Sequence, residues 1–261
     1  MNIKMIVCDL DGTLLRSDKT MSQHTLDVLT KCREKGIIIA IATARSAFNT
    51  KVVTDFFVPD VQITSGGSVA RFGEQIVHQA LMTPDDANGI ASRLTAVEGV
   101  GIITVRTDEG YFASEPLDFN DPIWKGYEDT VVVDFTKNVL GQTQKVVAEM
   151  PSIEAAQAVL EDFPNVTATA FTGERWVAFA CKNAAKWQGV AAVANHLGID
   201  AAQIVAFGDD FNDLDMIEKC GIGVAMDNGI PSVKTAADYI CDTNDKDGVA
   251  KWLTEHLLKE V

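Results

Sequence analysis

The chain alternates strand-like and helix-like segments at its start, loses that alternation near residue 83, and resumes it near residue 182. Residues 3–10 are strand-like, and Ser22 is a suitable N-cap for a helix over residues 22–35. Residues 37–42 are rich in isoleucine without a polar interruption, as in a strand that is buried on both faces. Strands that alternate with helices in this way favour a doubly wound parallel sheet.

The segment between the two alternating parts has a different character. It contains short strand-like runs and two helix-like stretches, which is typical of a small α+β module. We therefore predict an α/β protein with a Rossmann-like parallel sheet core formed by residues 1–82 and 182–261. Residues 83–181 are predicted to form an inserted α+β domain.

Charge and cysteine usage limit the partners of the chain. The 261 residues include 22 Lys and Arg against 37 Asp and Glu, a net charge of −15 that disfavours nucleic acid and anionic membranes. The five cysteines are scattered, without a C-x-x-C pair, and the N-terminal apolar run is interrupted at Asp9. We expect a cytoplasmic protein with reduced thiols, a monomer or weak homodimer, and neither a nucleic-acid nor a membrane partner.

Polar side chains follow four of the predicted core strands. Asp9 and Asp11 follow the first strand, and Thr43-Ala44-Arg45 follows the second. Ser65-Gly66-Gly67 and the segment 208–213 follow two further strands. Ligands of open α/β sheets bind beyond the carboxyl ends of the strands, so we expect these four segments to form one site. In an extended strand, Asp9 and Asp11 would point to the same side.

The candidate site is rich in carboxylates and contains no His or Cys. An oxygen-only donor set favours Mg²⁺ over a transition metal. The chain offers Lys186 and Arg45 to a bound anion, and a metal, a cation, a hydroxyl and backbone amides together suit a phosphoryl group.

These segments resemble the motifs of the haloacid dehalogenase (HAD) superfamily. Asp9-Leu10-Asp11-Gly12-Thr13-Leu14 resembles the first motif and Thr43 the hydroxyl residue of the second. Lys186 resembles the lysine of the third motif, and Gly208-Asp209-x-x-Asn212-Asp213 resembles the fourth. The position of the inserted domain is similar to that of the Cof-type subfamily, whose members carry a C2B cap.

The resemblance implies a role for each matching residue. Asp9 would be the nucleophile that forms an aspartyl-phosphate, and Asp11 would serve as general acid and then as base. Mg²⁺ would be held by Asp9, the Asp11 carbonyl and Asp209, while Asp213 would hold a metal-bound water or orient Lys186. The phosphate-binding residues would be Gly12, Thr43, Lys186 and Asn212. Arg45 would either contact the substrate or form a structural ion pair. Asp210 lies at a position that varies in the family, so it would be a capping or solvated residue rather than a metal ligand.

The preferred hypothesis is a Mg²⁺-dependent phosphatase that hydrolyses small phosphorylated metabolites, either sugar phosphates or cofactor phosphates. One alternative is a phosphomutase of the phosphomannomutase type, which would return the phosphoryl group to a sugar. Another is a non-catalytic sensor of a phosphate ligand. In the inserted domain, four residues are candidates for a substrate entrance, although packing or solvated surface is the preferred interpretation of each: Arg106, Trp124, Arg175 and Trp176.

Overall fold

A computed structural model describes residues 2–50, 56–107, 109–121, 124, 127–171 and 173–259. Contacts divide the chain into two compact units, one formed by Met1–Gln79 with Ala185–Val261 and the other by Ala80–Ala184. The predicted boundaries lay between residues 82 and 83 and between residues 181 and 182. Each unit has its own sheet and its own hydrophobic core.

The first unit contains an eight-stranded sheet. Its strands are β1 (Met5–Cys8), β2 (Ile38–Ala42), β3 (Val61–Thr64), β4 (Val69–Phe72), β5 (Gln75–Gln79), β12 (Ile204–Gly208), β13 (Ile222–Met226) and β14 (Tyr239–Cys241). They lie in the order β14-β13-β12-β1-β2-β3-β4-β5. The first six strands of that order pair in parallel, and β4 and β5 add an antiparallel hairpin at one edge. The central position of β1 directs its carboxyl end between those of β2 and β12.

Helices cover both faces of this sheet. They are α1 (Gln23–Glu34), α4 (Lys186–Leu197), α5 (Leu214–Lys219), α6 (Pro231–Ala236) and α7 (Gly248–Leu253). Alternate side chains of β1 enter different cores: Ile6 packs with residues of α1 and α7, whereas Val7 packs with residues of α4 and α5. This arrangement confirms the predicted doubly wound α/β core. Ser22 caps α1 as expected, since its hydroxyl accepts a hydrogen bond from the Thr25 amide at 3.0 Å.

The second unit contains a six-stranded sheet. Its strands are β6 (Ile103–Thr107), β7 (Tyr111–Ala113), β8 (Val131–Val132), β9 (Thr143–Glu149), β10 (Val166–Ala170) and β11 (Trp176–Cys181). They lie in the order β10-β11-β9-β6-β7-β8 and pair antiparallel, except for β7 with β8. Helices α2 (Pro84–Leu94) and α3 (Ile153–Val159) pack on one face of this sheet. The α+β character predicted for this part of the chain is confirmed.

Several predicted elements differ from the structure in extent. The first strand ends at Cys8 rather than at residue 10. The predicted helix over residues 46–57 is a turn at residues 47–50, and residues 51–55 lie outside the described chain. Strands β8 and β14 and helix α6 were not predicted, because two- and three-residue strands and a single-turn helix carry too little hydrophobic periodicity to be detected.

Candidate active site

The residues that follow three neighbouring strands lie at the same edge of the first unit's sheet. Cys8 pairs with Ile41 of β2 and with Phe207 of β12. The Asp9 amide continues the β12 ladder by donating to the Phe207 carbonyl at 3.0 Å. Asp9, Thr43 and Asp209 therefore leave the sheet side by side, as predicted from the parallel topology.

Lys186 is a buried cation between two carboxylates. It is the first residue of α4 and is 3% exposed. Its Nζ lies 2.5 Å from Asp9 Oδ1 and 2.6 Å from Asp213 Oδ1. A cation at a helix N-terminus is disfavoured by the helix dipole, and its burial would cost still more without these partners. The two carboxylates account for the position of Lys186 and raise its pKa even though burial lowers it.

The segment Ser65–Gly67 packs against the start of α4. Gly67 has φ +104°, and a Cβ at this position would lie 2.2 Å from the Ala185 carbonyl oxygen. The segment is anchored to the β2 loop, because the Gly66 amide donates to the Thr43 carbonyl at 3.0 Å. This packing requires glycine at position 67 and positions the backbone just before Lys186. It was not predicted from the sequence.

Asp213 joins Lys186 to the loop after β12. Its Oδ1 accepts from Lys186, while its Oδ2 accepts from the Asp209 amide at 3.0 Å and the Asp210 amide at 3.1 Å. The side chain is completely buried. Asp210 itself accepts from the Phe211 amide at 2.8 Å, which agrees with the predicted capping role. Both oxygens of Asp213 are thus engaged in holding the lysine and shaping this loop.

Three carboxylates form the group that could hold a metal ion. Oxygens of Asp9, Asp209 and Asp213 lie within 4.8 Å of one another. Burial raises the pKa of Asp209 to about 6, and burial also raises the pKa of Asp9, although Lys186 opposes that rise. One ammonium does not balance three carboxylates, so a further cation would favour their ionised forms. Their hard oxygen donors fit Mg²⁺.

Asp11 lies in a different environment from Asp9. Its Oδ2 accepts from Arg45 Nε at 2.6 Å and its Oδ1 from Arg45 Nη2 at 2.7 Å, while Lys19 Nζ lies 2.9 Å from Oδ1. Burial alone would raise the pKa of Asp11, but the two cations lower it to about 2. Strand alternation does not account for the spacing of Asp9 and Asp11, because β1 ends before both aspartates. Arg45 forms an ion pair, one of its two predicted roles.

The turn after Asp11 contacts Asp209, one of the three carboxylates that could hold a metal ion. Gly12 has φ +81°, and a Cβ there would lie 2.3 Å from Asp209 Oδ2. The Thr13 hydroxyl donates to Asp209 Oδ1 at 2.7 Å. Asn228 Nδ2 donates to the Gly12 carbonyl at 2.7 Å. Gly12 was predicted to bind phosphate. The structure shows that its backbone also lies close to the Asp209 carboxyl, which leaves no room for a side chain at position 12.

The remaining predicted site residues lie on the same loops with less direct contacts. Thr43 is 1% exposed, and its Oγ1 accepts from the Arg45 amide at 3.1 Å. Asn212 lies in the 3₁₀ turn Phe211–Asp213. Within the described residues, no hydrogen bond joins the Asn212 side chain to the other predicted site residues. Asn228 was missed as a site residue because its link to Gly12 spans most of the chain.

A family model described as haloacid dehalogenase-like hydrolase matches residues 6–253. The chain belongs to the haloacid dehalogenase-like hydrolase (HAD) family. It is similar to the 5-amino-6-(5-phospho-D-ribitylamino)uracil phosphatase YitU of Bacillus subtilis, with 30% identity over 271 residues and 97% of each chain covered. The resemblance seen in the motifs is therefore confirmed, and so is the prediction of an enzyme of the HAD phosphatase type.

Solved structures of HAD enzymes share the fold of this chain. A HAD subclass IIB sugar phosphatase superposes with a TM-score of 0.84 at 24% identity, covering 97% of this chain and 98% of the other. A HAD phosphatase from Bacteroides thetaiotaomicron superposes with a TM-score of 0.81 at 26% identity, covering 97% and 94%. No helix in the described part of the chain is long and apolar enough to cross a membrane.

Proposed function

We propose that this HAD enzyme is a Mg²⁺-dependent phosphatase for small phosphorylated compounds, with Asp9 as the nucleophile. The observation that carries the proposal is the contact of the buried Lys186 with both Asp9 and Asp213. A lysine held in this way is a fixed positive charge beside the attacking carboxylate. Such a charge stabilises the phosphoryl oxygens as negative charge develops on them, without reorganisation of solvent.

Asp9 has the surroundings that a carboxylate nucleophile needs. It is 6% exposed, so few water molecules would solvate it. Its Oδ1 is occupied by Lys186, and Oδ2 is the oxygen from which attack on phosphorus would proceed. Attack would form an acyl phosphate on Asp9 and release the alcohol, and water would then return the carboxylate and inorganic phosphate.

Asp11 is the candidate for proton transfer. Its ordinary task would be to protonate the leaving oxygen and then to deprotonate the attacking water. In the present structure it is ionised and bound to Arg45, so the base role is available directly. The acid role requires Arg45 to release the carboxyl, and an incoming phosphate would compete for that guanidinium.

The metal would be held by the acidic group Asp9, Asp209 and Asp213, together with the Asp11 carbonyl. When bound, Mg²⁺ neutralises charge on the phosphoryl oxygens and lowers the pKa of Asp9. Thr13 would orient Asp209 for this task through its 2.7 Å hydrogen bond. Thr43 and Asn212 remain proposed phosphate contacts. The relatives named above suggest phosphorylated ribityl compounds and sugar phosphates as the first esters to test.

The test measures phosphate release from such a panel with and without Mg²⁺. We expect Mg²⁺-dependent release, and a loss of at least about a thousandfold in Asp9→Asn. Asp215→Asn is the matched control, because it makes the same chemical change at a partly exposed residue that pairs with Lys219. Rapid acid quenching followed by mass spectrometry should detect phosphate on the Asp9 peptide of the native enzyme.

Three results would contradict the proposal. One is undiminished release by Asp9→Asn, which would assign the chemistry to another group. A second is an absence of release from every ester while a sugar bisphosphate supports phosphoryl transfer between sugars, which would indicate a phosphomutase. The third is binding of esters without either reaction, which would indicate a sensor.

A further inference from the structure

In the described part of the second unit, α2 and α3 pack on one face of the sheet and leave its other face uncovered. Along β6, Ile103 and Val105 are buried in the core with α2 and α3, whereas Thr104 and Arg106 alternate to the other face. The same alternation on β9 directs Val146 to the core and Lys145 to the other face. Polar and aromatic side chains therefore gather on the uncovered face.

A cavity of about 210 Å³ opens on that face. All of its lining residues belong to the second unit. They include two cations, one acid and three aromatic residues: Arg106, Lys145, Glu174, Tyr111, Trp124 and Trp176. Such a mixture of aromatic walls with a few converging polar groups is characteristic of a small-molecule site.

The two cations lie directly opposite each other. Arg106 pairs with Lys145 across β6 and β9, and like charges in that position destabilise a sheet. Arg106 lies over the Tyr111 ring at 4.4 Å, and its Nε is buried without a hydrogen-bond partner among the described residues. Burial lowers the pKa of Lys145 to about 8. An acceptor group beside the Arg106 guanidinium would pair with this Nε and would weaken the repulsion between the two cations.

The aromatic side chains form one connected wall. Trp124 meets Trp176 edge-on at 5.6 Å between ring centroids and meets Tyr127 edge-on at 5.9 Å. Trp124 is 8% exposed, so it is fixed by packing, while Trp176 is only partly buried and faces the cavity. Both tryptophans line the cavity, so the preferred interpretation of them as packing residues is incomplete for each. Arg175 does not line the cavity and pairs with Glu149.

We propose that this cavity binds a planar heteroaromatic ring whose carbonyl or other acceptor groups meet Arg106 and Lys145. Aromatic walls favour a flat π-system, because the strength of stacking depends on the planar shape of the ligand rather than on the arrangement of its hydroxyl groups. A ring-free polyol would leave these walls without a partner, and Glu174 is the one carboxylate among the described lining residues that could accept from its hydroxyl groups. Inorganic phosphate would use the cations alone.

This inference rests on the proposed function where it names the substrate. If the chain is a phosphatase, its preferred substrates are phosphate esters that carry such a ring. Phosphorylated sugars and polyols without a ring would then be poor substrates.

The test uses a matched pair of esters that differ in the ring. They are 5-amino-6-(5-phospho-D-ribitylamino)uracil and D-ribitol 5-phosphate, whose phosphorylated chains correspond. Turnover of both is measured with the native enzyme, Arg106→Gln and Trp176→Ala. Arg175→Gln is the control, since it changes an exposed arginine beside Trp176 that lies outside the cavity. Calorimetry then measures binding of the phosphate-free ring compound and of D-ribitol to each protein.

We expect the native enzyme to prefer the ring ester by about tenfold or more in kcat/KM, and the ring compound to bind where D-ribitol does not. Arg106→Gln and Trp176→Ala should each lower that preference and raise the Kd of the ring compound by about tenfold, with no change in Arg175→Gln. Circular dichroism identifies a misfolded variant, and Arg106→Gln keeps the test decisive if Trp176→Ala misfolds.

Failure of the ring site and failure of the proposed phosphatase function would give different results. Equal turnover of the two esters, or a Kd for the ring compound that neither variant changes, overturns the ring site while phosphate release still supports the phosphatase. Variant-sensitive binding of the ring compound without release from any ester supports the ring site and overturns the proposed function.

Discussion

Arg45 holds the Asp11 carboxylate through two parallel hydrogen bonds, from Nε at 2.6 Å and from Nη2 at 2.7 Å. A planar guanidinium is well suited to this bidentate geometry, which a lysine cannot reproduce. The pair joins the loops that follow β1 and β2, so it organises the edge of the site. Arg45 also favours the ionised form of Asp11, so it would control the proton transfer that we propose for this carboxyl.

Arg45→Gln should raise the pKa of Asp11 from about 2 toward its ordinary value of about 4. The pKa in the folded state is lowered, so the pair stabilises the fold above the unfolded pKa, and this stabilisation is lost as the pH falls from about 4 to about 2. Carboxyl ¹³C NMR of labelled aspartates should detect the shift. Arg33→Gln, which removes an ion pair with Asp60, is the control. An Asp11 titration that stays unchanged would count against the assignment.

Lys186→Met should lower the free energy of unfolding by about 3–5 kcal/mol in metal-free urea titrations. The change leaves the buried carboxylates of Asp9 and Asp213 facing each other without their shared cation. Adding Asp213→Asn should recover part of the loss. Lys219→Met removes an exposed lysine that pairs with Asp215 and should cost less than about 1 kcal/mol. Equal losses in the two lysine variants would refute the argument.

Gly12→Ala should impair Mg²⁺-dependent phosphate release far more than Gly36→Ala. The two glycines have nearly the same φ, +81° and +80°, so the backbone strain is matched. A Cβ at Gly12 would lie 2.3 Å from Asp209 Oδ2, whereas nothing lies within 4 Å of one at Gly36. The readout is the Mg²⁺ concentration for half-maximal activity, together with unfolding midpoints. Similar Mg²⁺ requirements in the two variants would contradict this prediction.

Cys181 should be the thiol that iodoacetamide modifies first in the native protein at about pH 8. It is partly exposed, whereas the other four cysteines are buried. Burial raises the pKa of Cys32 to about 11 and of Cys220 and Cys241 to about 12, so they hold little thiolate at this pH. Peptide mapping should find one modified site before denaturation and five after it. Early modification of Cys8 would show that its strand opens readily.

The main site residues could be predicted because a parallel sheet determines where its strands end. Asp9, Thr43 and Asp209 each follow a strand-like run, and that pattern places them at one edge whatever the details of the loops. The role of Lys186 came from the family resemblance, since a lysine at a helix start has no partner that sequence alone identifies. Its contact with Asp213 was one of the two roles that the resemblance implied for that aspartate, whereas its contact with Asp9 was found only in the structure.

Other contacts depend on loop paths and strand register, which periodicity does not encode. The partners of Asp11 are Arg45 and Lys19, and they meet only because the turn after Cys8 leaves the strand direction. The pairing of Arg106 with Lys145 likewise requires the register of two strands that are separated by β7 and β8 in the chain. A shift of one residue would send one of these side chains into the core.

The central place of β1 in its sheet affects how the chain is assembled during synthesis. One neighbour, β2, follows soon after β1, but β12 begins only at Ile204, after the whole second unit has been translated. The nascent polypeptide therefore leaves the ribosome with an unpaired edge on β1. Asp9 also lacks its ion-pair partner until Lys186, 177 residues downstream, has been synthesised. A translation product that stops before residue 204 would expose that edge to association with other chains.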